Sequence, residues 1–329
     1  MNKSIYVVIG CILLTCCGQK AAKGNDAVSV APVEQIASQT PDFDADSAYS
    51  YVAAQVAFGP RVPNSGAHRQ CADWLTGVLK RFGADIYVQE TVLTAYNGDR
   101  LESRNIIGSY NPEQQKRVLL FAHWDSRPYS DRDAESNHYK PIDGADDGAS
   151  GVGVLLEIAR QISKSALSIG VDIIFFDAED YGVPEFLKEN KPNSWCLGSQ
   201  FWAKNPHKIN YKADFGILLD MVGSRDATFY KEGTSVYRAA PFVERVWTTA
   251  RNLGYGRFFI NANGGTITDD HQYVISGRGI PCIDIINLVP ESDHGFGKHW
   301  HTQNDTMENI DRATLKAVGQ TVLEVVCGY

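Results

Sequence analysis

"VDIIFFDAED", residues 171–180, sets an apolar run of strand length, interrupted only by Asp172, directly against three acids, Asp177, Glu179 and Asp180. A strand without polar alternation is covered on both faces, the signature of a parallel sheet flanked by helices. The same grammar recurs along the chain. "RVLLFAHWD" (117–125), "DFGILLDMVG" (214–223) and "GIPCIDIIN" (279–287) read as further buried strands. "HRQCADWLTGVLKRFG" (68–83), "GASGVGVLLEIARQIS" (148–163), "GSQFWAKN" (198–205), "PFVERVWTTARNLG" (241–254) and "TMENIDRATLKAVGQTVLEVVCGY" (306–329) read as helices. Buried strands alternating with helices predict one three-layer α/β/α domain with a mixed, mostly parallel central sheet. Two polar segments marked by Pro and Gly interrupt the alternation, 181–196 with Trp195 and 287–305 with Phe296 and Trp300. Long irregular segments inside such a domain are usually functional loops.

The chain has 329 residues, 43% of them hydrophobic, and a formal net charge of −8. No basic run or Lys/Arg stripe is present, which argues against nucleic acid as a partner. "MNKSIYVVIGCILLTCCGQK" (1–20) carries Lys3, an apolar stretch too short to span a bilayer, then small residues and cysteines. It reads as an export signal over 1–16 whose "LLTCCG" end resembles a bacterial lipobox, with Cys17, or else Cys16, as the lipid-bearing residue. Residues 17–44 read as a tether, and 45–329 as the folded domain. The expected location is the periplasm or cell envelope, with membrane contact only through the lipid. Cys71, Cys196, Cys282 and Cys327 lie far apart without C-x-x-C spacing, so they form neither a zinc cluster nor a redox motif.

Ligands of open α/β sheets bind outside the carboxyl ends of the strands. Those ends carry His123 and Asp125, then Asp146 and Asp147, Glu179 and Asp180, Asp220, and finally His301. Each has a bland explanation alone; Asp147, for example, could cap the helix that follows it. Together, acids and imidazoles converging on one rim would repel and lose hydration unless a cation sat among them. Nitrogen and oxygen ligands without thiolates suit a catalytic zinc with an open position. The absence of H-E-x-x-H excludes a thermolysin-like arrangement.

"HWDS", "GADDGASG", "FFDAED", "LLDMVG" and "WHTQNDTMENID" occur in the order found in the co-catalytic zinc aminopeptidases, and the resemblance covers residues 45–329. Within that superfamily the chain most resembles the glutaminyl cyclases. Trp300 directly precedes His301, with Phe296 four residues earlier. A long insertion carrying Trp195 follows Asp180. "DDH" (269–271) stands where aminopeptidases tend to have Ser before the Asp-His pair. In one respect the chain departs from both groups, which usually have Glu at the position of Asp180.

The resemblance implies that Asp147, Asp180 and His301 bind one Zn2+ and that Glu179 shuttles protons, with Asp220 and Asp269 as acidic neighbours in a hydrogen-bonded network. Trp195, Phe296 and Trp300 would wall a pocket for a glutaminyl side chain. The implied activity, that of a glutaminyl-peptide cyclotransferase, turns N-terminal glutaminyl residues of peptides or proteins into pyroglutamyl and releases ammonia. A monomer is expected. Retention of His123 and Asp220 keeps a two-zinc aminopeptidase open, and a non-catalytic binding lipoprotein is the alternative from another class.

Overall fold

Seven α-helices and eight strands follow one another in the computed structural model, which describes residues 40–329. The export signal, Cys16, Cys17 and the tether as far as residue 39 lie outside the described residues. The main sheet has the order β1-β2-β4-β3-β5-β8, formed by β1 (Asp85–Thr94), β2 (Arg100–Tyr110), β3 (Arg117–His123), β4 (Gly170–Phe176), β5 (Phe215–Asp220) and β8 (Cys282–Ile286). The β1–β2 and β2–β4 pairings are antiparallel, whereas β3–β4, β3–β5 and β5–β8 are parallel. The sheet is therefore mixed and mostly parallel, as the apolar runs require.

Alternate strand residues face two separate helical layers. Val118, Leu120, Val171, Ile173, Ile217 and Ile283 pack on α1 (Ala45–Val56), α2 (Gly66–Arg81), α3 (Ala149–Ile162), α5 (Gly233–Asn252) and α7 (Arg312–Cys327). Leu119, Phe121, Ile174, Phe176 and Leu218 pack on the other face against Trp202 of α4 (Leu197–Lys204) and Val274 of α6 (Asp270–Arg278). The period of two along each strand thus becomes a three-layer sandwich.

The helical boundaries differ from the sequence reading in three places. Helix α5 begins at Gly233, capped by the Glu232 carboxylate, and is kinked at Ala239 ahead of Pro241. Proline strips a turn of its hydrogen bond, so a helix can pass through it only bent. Helix α6 arises on "DHQYVISGR", whose weak amphipathicity hid it. The terminal helix starts at Arg312, after a 3-10 turn at Met307–Asn309. A short parallel pair, β6 (Phe229–Lys231) with β7 (Phe259–Asn263), also went unread.

Phe43, within the stretch read as tether, belongs to the packed body. Its side chain is 1% exposed, its N–H donates to Gln320 Oε1 at 2.8 Å, and its ring occupies the space a Cβ on Gly319 would need. Truncating a buried Phe typically costs about 3–5 kcal/mol. Phe43→Ala should lower the urea midpoint of the full chain by a corresponding amount with the slope unchanged; an unchanged midpoint would contradict this packing.

Candidate active site

The carboxyl ends of β3, β4 and β5 open on one edge, and the turn after β4 is built to display its acids there. Asp177 faces away from the site, accepting from Arg104 N (2.6 Å) and Ala178 N (2.8 Å) and lying 2.9 Å from His68 Nε2. Its role is structural. Ala178 then takes the left-handed conformation, φ 52°, a costly choice for a residue with a Cβ that persists only where surroundings enforce it. Asp125, two residues beyond β3, enforces it by accepting from both Glu179 N (3.0 Å) and Asp180 N (3.1 Å). Adjacent strands thus lock the turn so that both carboxylates point into the cleft.

Asp147 is fixed in the same manner. Asp305 accepts from Asp146 N at 2.7 Å and Asp147 N at 3.1 Å. Gly148, not Asp147, occupies the cap position of α3, with φ 94°, and a Cβ there would overlap the Asp125 carbonyl. Freed from capping, the Asp147 carboxylate reaches two imidazoles: Oδ2 lies 3.6 Å from His301 Nε2, and Oδ1 lies 3.1 Å from His123 Nε2. Asp180 Oδ1 is 3.3 Å from His301 Nε2. Ligand atoms on a tetrahedron with zinc bonds of about 2.0 Å stand roughly 3.3 Å apart. Asp147, Asp180 and His301 each present a ligand atom within 4.8 Å of the others, all three residues buried, and Asp180 Oδ2 has no hydrogen-bond partner. The shorter arm of Asp180 therefore suffices to complete a zinc-sized set.

His301 has its own support. It too is left-handed, φ 55°, and its Nδ1 lies 3.2 Å from Asp131 Oδ1. Asp131 is gripped by Arg127 through two hydrogen bonds, Nε–Oδ1 at 2.8 Å and Nη2–Oδ2 at 2.6 Å. A carboxylate behind a ligating imidazole fixes its tautomer and orientation. Arg127 Nη1 also donates to the Asp180 carbonyl at 2.9 Å.

Without a cation the acids are under strain. Burial, then the charge of Asp147, pushes the Asp180 carboxyl up to about 6. Burial raises Glu179 well above the ordinary carboxylate range, and Asp269, Asp180 and Asp270 add to it against the pull of His123. Asp220 and Asp269 are raised as well, burial being the main cause in both. Asp147, Asp180 and His301 could hold a divalent ion, whose charge would relieve the repulsion that lifts Asp180.

The pocket over this rim is lined by Asp147, Glu179, Asp180, Asp220, Asp269 and His301, with Trp195, Phe296 and Trp300 among its apolar walls. The implied ligands, acids and aromatic walls thus meet in one cleft, whereas His123, Asp125 and Asp146, also noted at the strand ends, lie behind its lining. Trp300 stacks on His301 with ring centroids 3.8 Å apart, and Trp195 lies nearly parallel to His301 at 5.9 Å. Gly182 makes room for the Trp195 indole, which a Cβ would overlap. The anticipated acid network takes a different form: Asp269 accepts from Asp270 N at 2.5 Å, and the recorded partner of Glu179 is the Cys196 thiol, Sγ to Oε1 at 3.0 Å. A carboxylate crowded by acids needs a donor, and the neighbouring carboxylates offer none when ionised.

Sequence reasoning missed Arg127, Asp131 and Cys196. "RPYSD" (127–131) did carry a signal, an Arg and an Asp four residues apart just beyond a buried strand. Cys196 could be weighed only as a thiol, and the four described cysteines are all free.

The model of peptidase family M28 matches residues 105–326. A crystal structure of Tannerella forsythia glutaminyl cyclase is 69% identical, superposes with a TM-score of 0.87, and shares 88% of this chain and 100% of its own. A crystal structure of a Zn-dependent exopeptidase from Parabacteroides distasonis gives the same identity, coverage and TM-score. The Bos taurus glutaminyl-peptide cyclotransferase is 26% identical over 296 residues, 82% of this chain and 78% of the relative.

Loss of a partner behind a zinc ligand typically costs 10–100-fold in metal affinity. Asp131→Asn should weaken zinc binding by about that factor in competition with a chelating dye while the protein stays folded; wild-type affinity would remove Asp131 from the support of His301.

Proposed function

The chain belongs to peptidase family M28, and on that footing we propose that it is a zinc-dependent glutaminyl-peptide cyclotransferase, closing N-terminal glutaminyl residues of peptides and proteins to pyroglutamyl with release of ammonia. The observation that carries the assignment is the pair of indoles walling the pocket beside His301, Trp195 at 10° and Trp300 at 26° to its ring. An open hydrolytic cleft has no need of such walls, whereas cyclisation must fold a flexible side chain onto its own amine and keep water out.

Asp147, Asp180 and His301 would hold the zinc, which when bound supplies Lewis acidity to polarise the side-chain amide carbonyl. The remaining work falls to the protein. Glu179, kept basic by its buried acidic surroundings, takes a proton from the substrate α-ammonium. The freed amine attacks the amide carbon, Glu179 passes its proton to the amide nitrogen and takes up the second proton shed by the ring nitrogen, and the C–N bond to the amide nitrogen breaks; ammonia leaves and carries that second proton away as ammonium. Asp269 contributes to the negative field that keeps Glu179 basic, and Asp220 faces the same pocket.

We assign one zinc. His123 is buried with Nε2 3.1 Å from Asp147 and 3.2 Å from Asp220, and with Nδ1 3.6 Å from Asp125. Burial opposes an imidazolium there, but the three carboxylates around the ring outweigh it and raise His123 well above its ordinary value. We propose that an imidazolium at this position supplies the charge that a second metal would bring. The same spacing also fits a second ligand set, which favours a two-zinc aminopeptidase as the other reading. We further propose a monomer, exported and tethered through lipid on Cys17 or Cys16.

Incubating the purified enzyme with a Gln-Xaa peptide should produce a product lighter by the mass of ammonia. Glu179→Gln should lower kcat by about 10²–10⁴ with zinc content unchanged. Release of free amino acids without ammonia would establish the aminopeptidase instead.

A further inference from the structure

Resting on the reading of Glu179 as the proton carrier, we infer that Cys196 is a positioning residue for the reaction, its thiol holding Glu179 in the orientation that faces the substrate. The thiol Sγ lies 3.0 Å from Glu179 Oε1. The backbone reinforces the contact: Cys196 N donates to Glu179 O at 2.9 Å and Leu197 N to Ala178 O at 3.0 Å. These two bonds close the base of the 181–195 insertion, so the start of α4 and the turn after β4 form one unit. Cys196 sits left-handed there, φ 57°, and its side chain caps nothing in α4. The strained conformation aims the sulfur at Glu179 rather than at the helix end.

The chemistry of a thiol suits the task. Glu179 has acidic neighbours, and Glu179, Cys196 and Asp269 bring one polar atom each within 4.8 Å. Left without a donor, the carboxylate would swing away from Asp269. Arg or Lys would anchor it but would also stabilise its charge and remove the basicity that proton transfer needs. A thiol is a weak, neutral donor. It fixes the rotamer through Oε1 and leaves Oε2 for the proton. Burial, followed by the Glu179 charge, raises the thiol well above its ordinary value, so it remains a donor.

The competing explanation is that Cys196 merely fills space, as buried cysteines often do. Cys196→Ser keeps a donor, Cys196→Val keeps bulk without one, and Cys196→Ala keeps neither. With a Gln-Xaa peptide, Val and Ala should lower kcat roughly five- to tenfold, the worth of a neutral hydrogen bond, with KM within about twofold of wild type, and Ser should recover most of the loss. Wild-type kcat in Val, or Ser as impaired as Ala, would overturn the inference. The S–H stretching band of Cys196 gives a readout independent of turnover. It should lie at lower frequency in the wild type than in Glu179→Ala, which lacks the acceptor, and coincident bands would equally overturn it. Failure of the wild type to release ammonia would instead count against the assigned activity, with the S–H comparison still deciding whether the bond exists.

Discussion

Repulsion among buried carboxylates is the constraint on which this architecture turns. Asp147, Asp180 and Asp220 are buried at one rim beside His123 and His301, with Glu179 and Asp269 close by. Such a collection is stable only if positive charge is placed among it and every acid is held where that charge is. The fold meets both demands. Parallel strands β3, β4 and β5 end together, and the loops leaving them are pinned by a further set of carboxylates: Asp125 on the Glu179–Asp180 amides, Asp305 on the Asp146–Asp147 amides, Asp131 behind His301. These second acids never enter the cleft. Asp125 and Asp305 accept from backbone N–H groups, Asp131 stands 3.2 Å behind the His301 imidazole, and they turn the first set towards the cleft.

The residues carrying the chemistry are also where the backbone departs from ease. Ala178, Cys196, Met221 and His301 all have positive φ without being glycine. Each flanks or lines the pocket, and three of the four are held by backbone hydrogen bonds to another segment, Leu197 N to Ala178 O, Cys196 N to Glu179 O and Arg132 N to His301 O. The aromatic walls belong to the same scheme. Arg127 lies 4.4 Å above the Trp195 ring and Arg132 lies 5.1 Å from that of Trp300, so the segment that orients His301 also seats both indoles.

Much of this was legible in the chain. Apolar strands without alternation can only be covered on both faces, and acids at their carboxyl ends can only face one edge, so the three-layer fold and the rim residues follow from periodicity. Helix α6 and the β6–β7 pair were not legible, because a nine-residue helix with a weak apolar stripe and a three-residue strand carry too little pattern. Contacts across long sequence separations were also out of reach. Nothing in "DSRPYSD" says that Asp131 meets His301, and nothing in "SWCLG" says that a thiol meets Glu179; both depend on how loops return over the sheet. The short side chain of Asp180 reaches the site because its turn brings Oδ1 within 3.3 Å of His301 Nε2.

The central claim is that a single zinc, held by Asp147, Asp180 and His301, balances the rim, with an imidazolium at His123 in place of a second ion. Anomalous diffraction at the zinc edge, from crystals grown with excess zinc, tests it directly. The account predicts one full-occupancy peak among Asp147, Asp180 and His301 and none between His123 and Asp220. Two peaks of equal height, one on each side of Asp147, would contradict it.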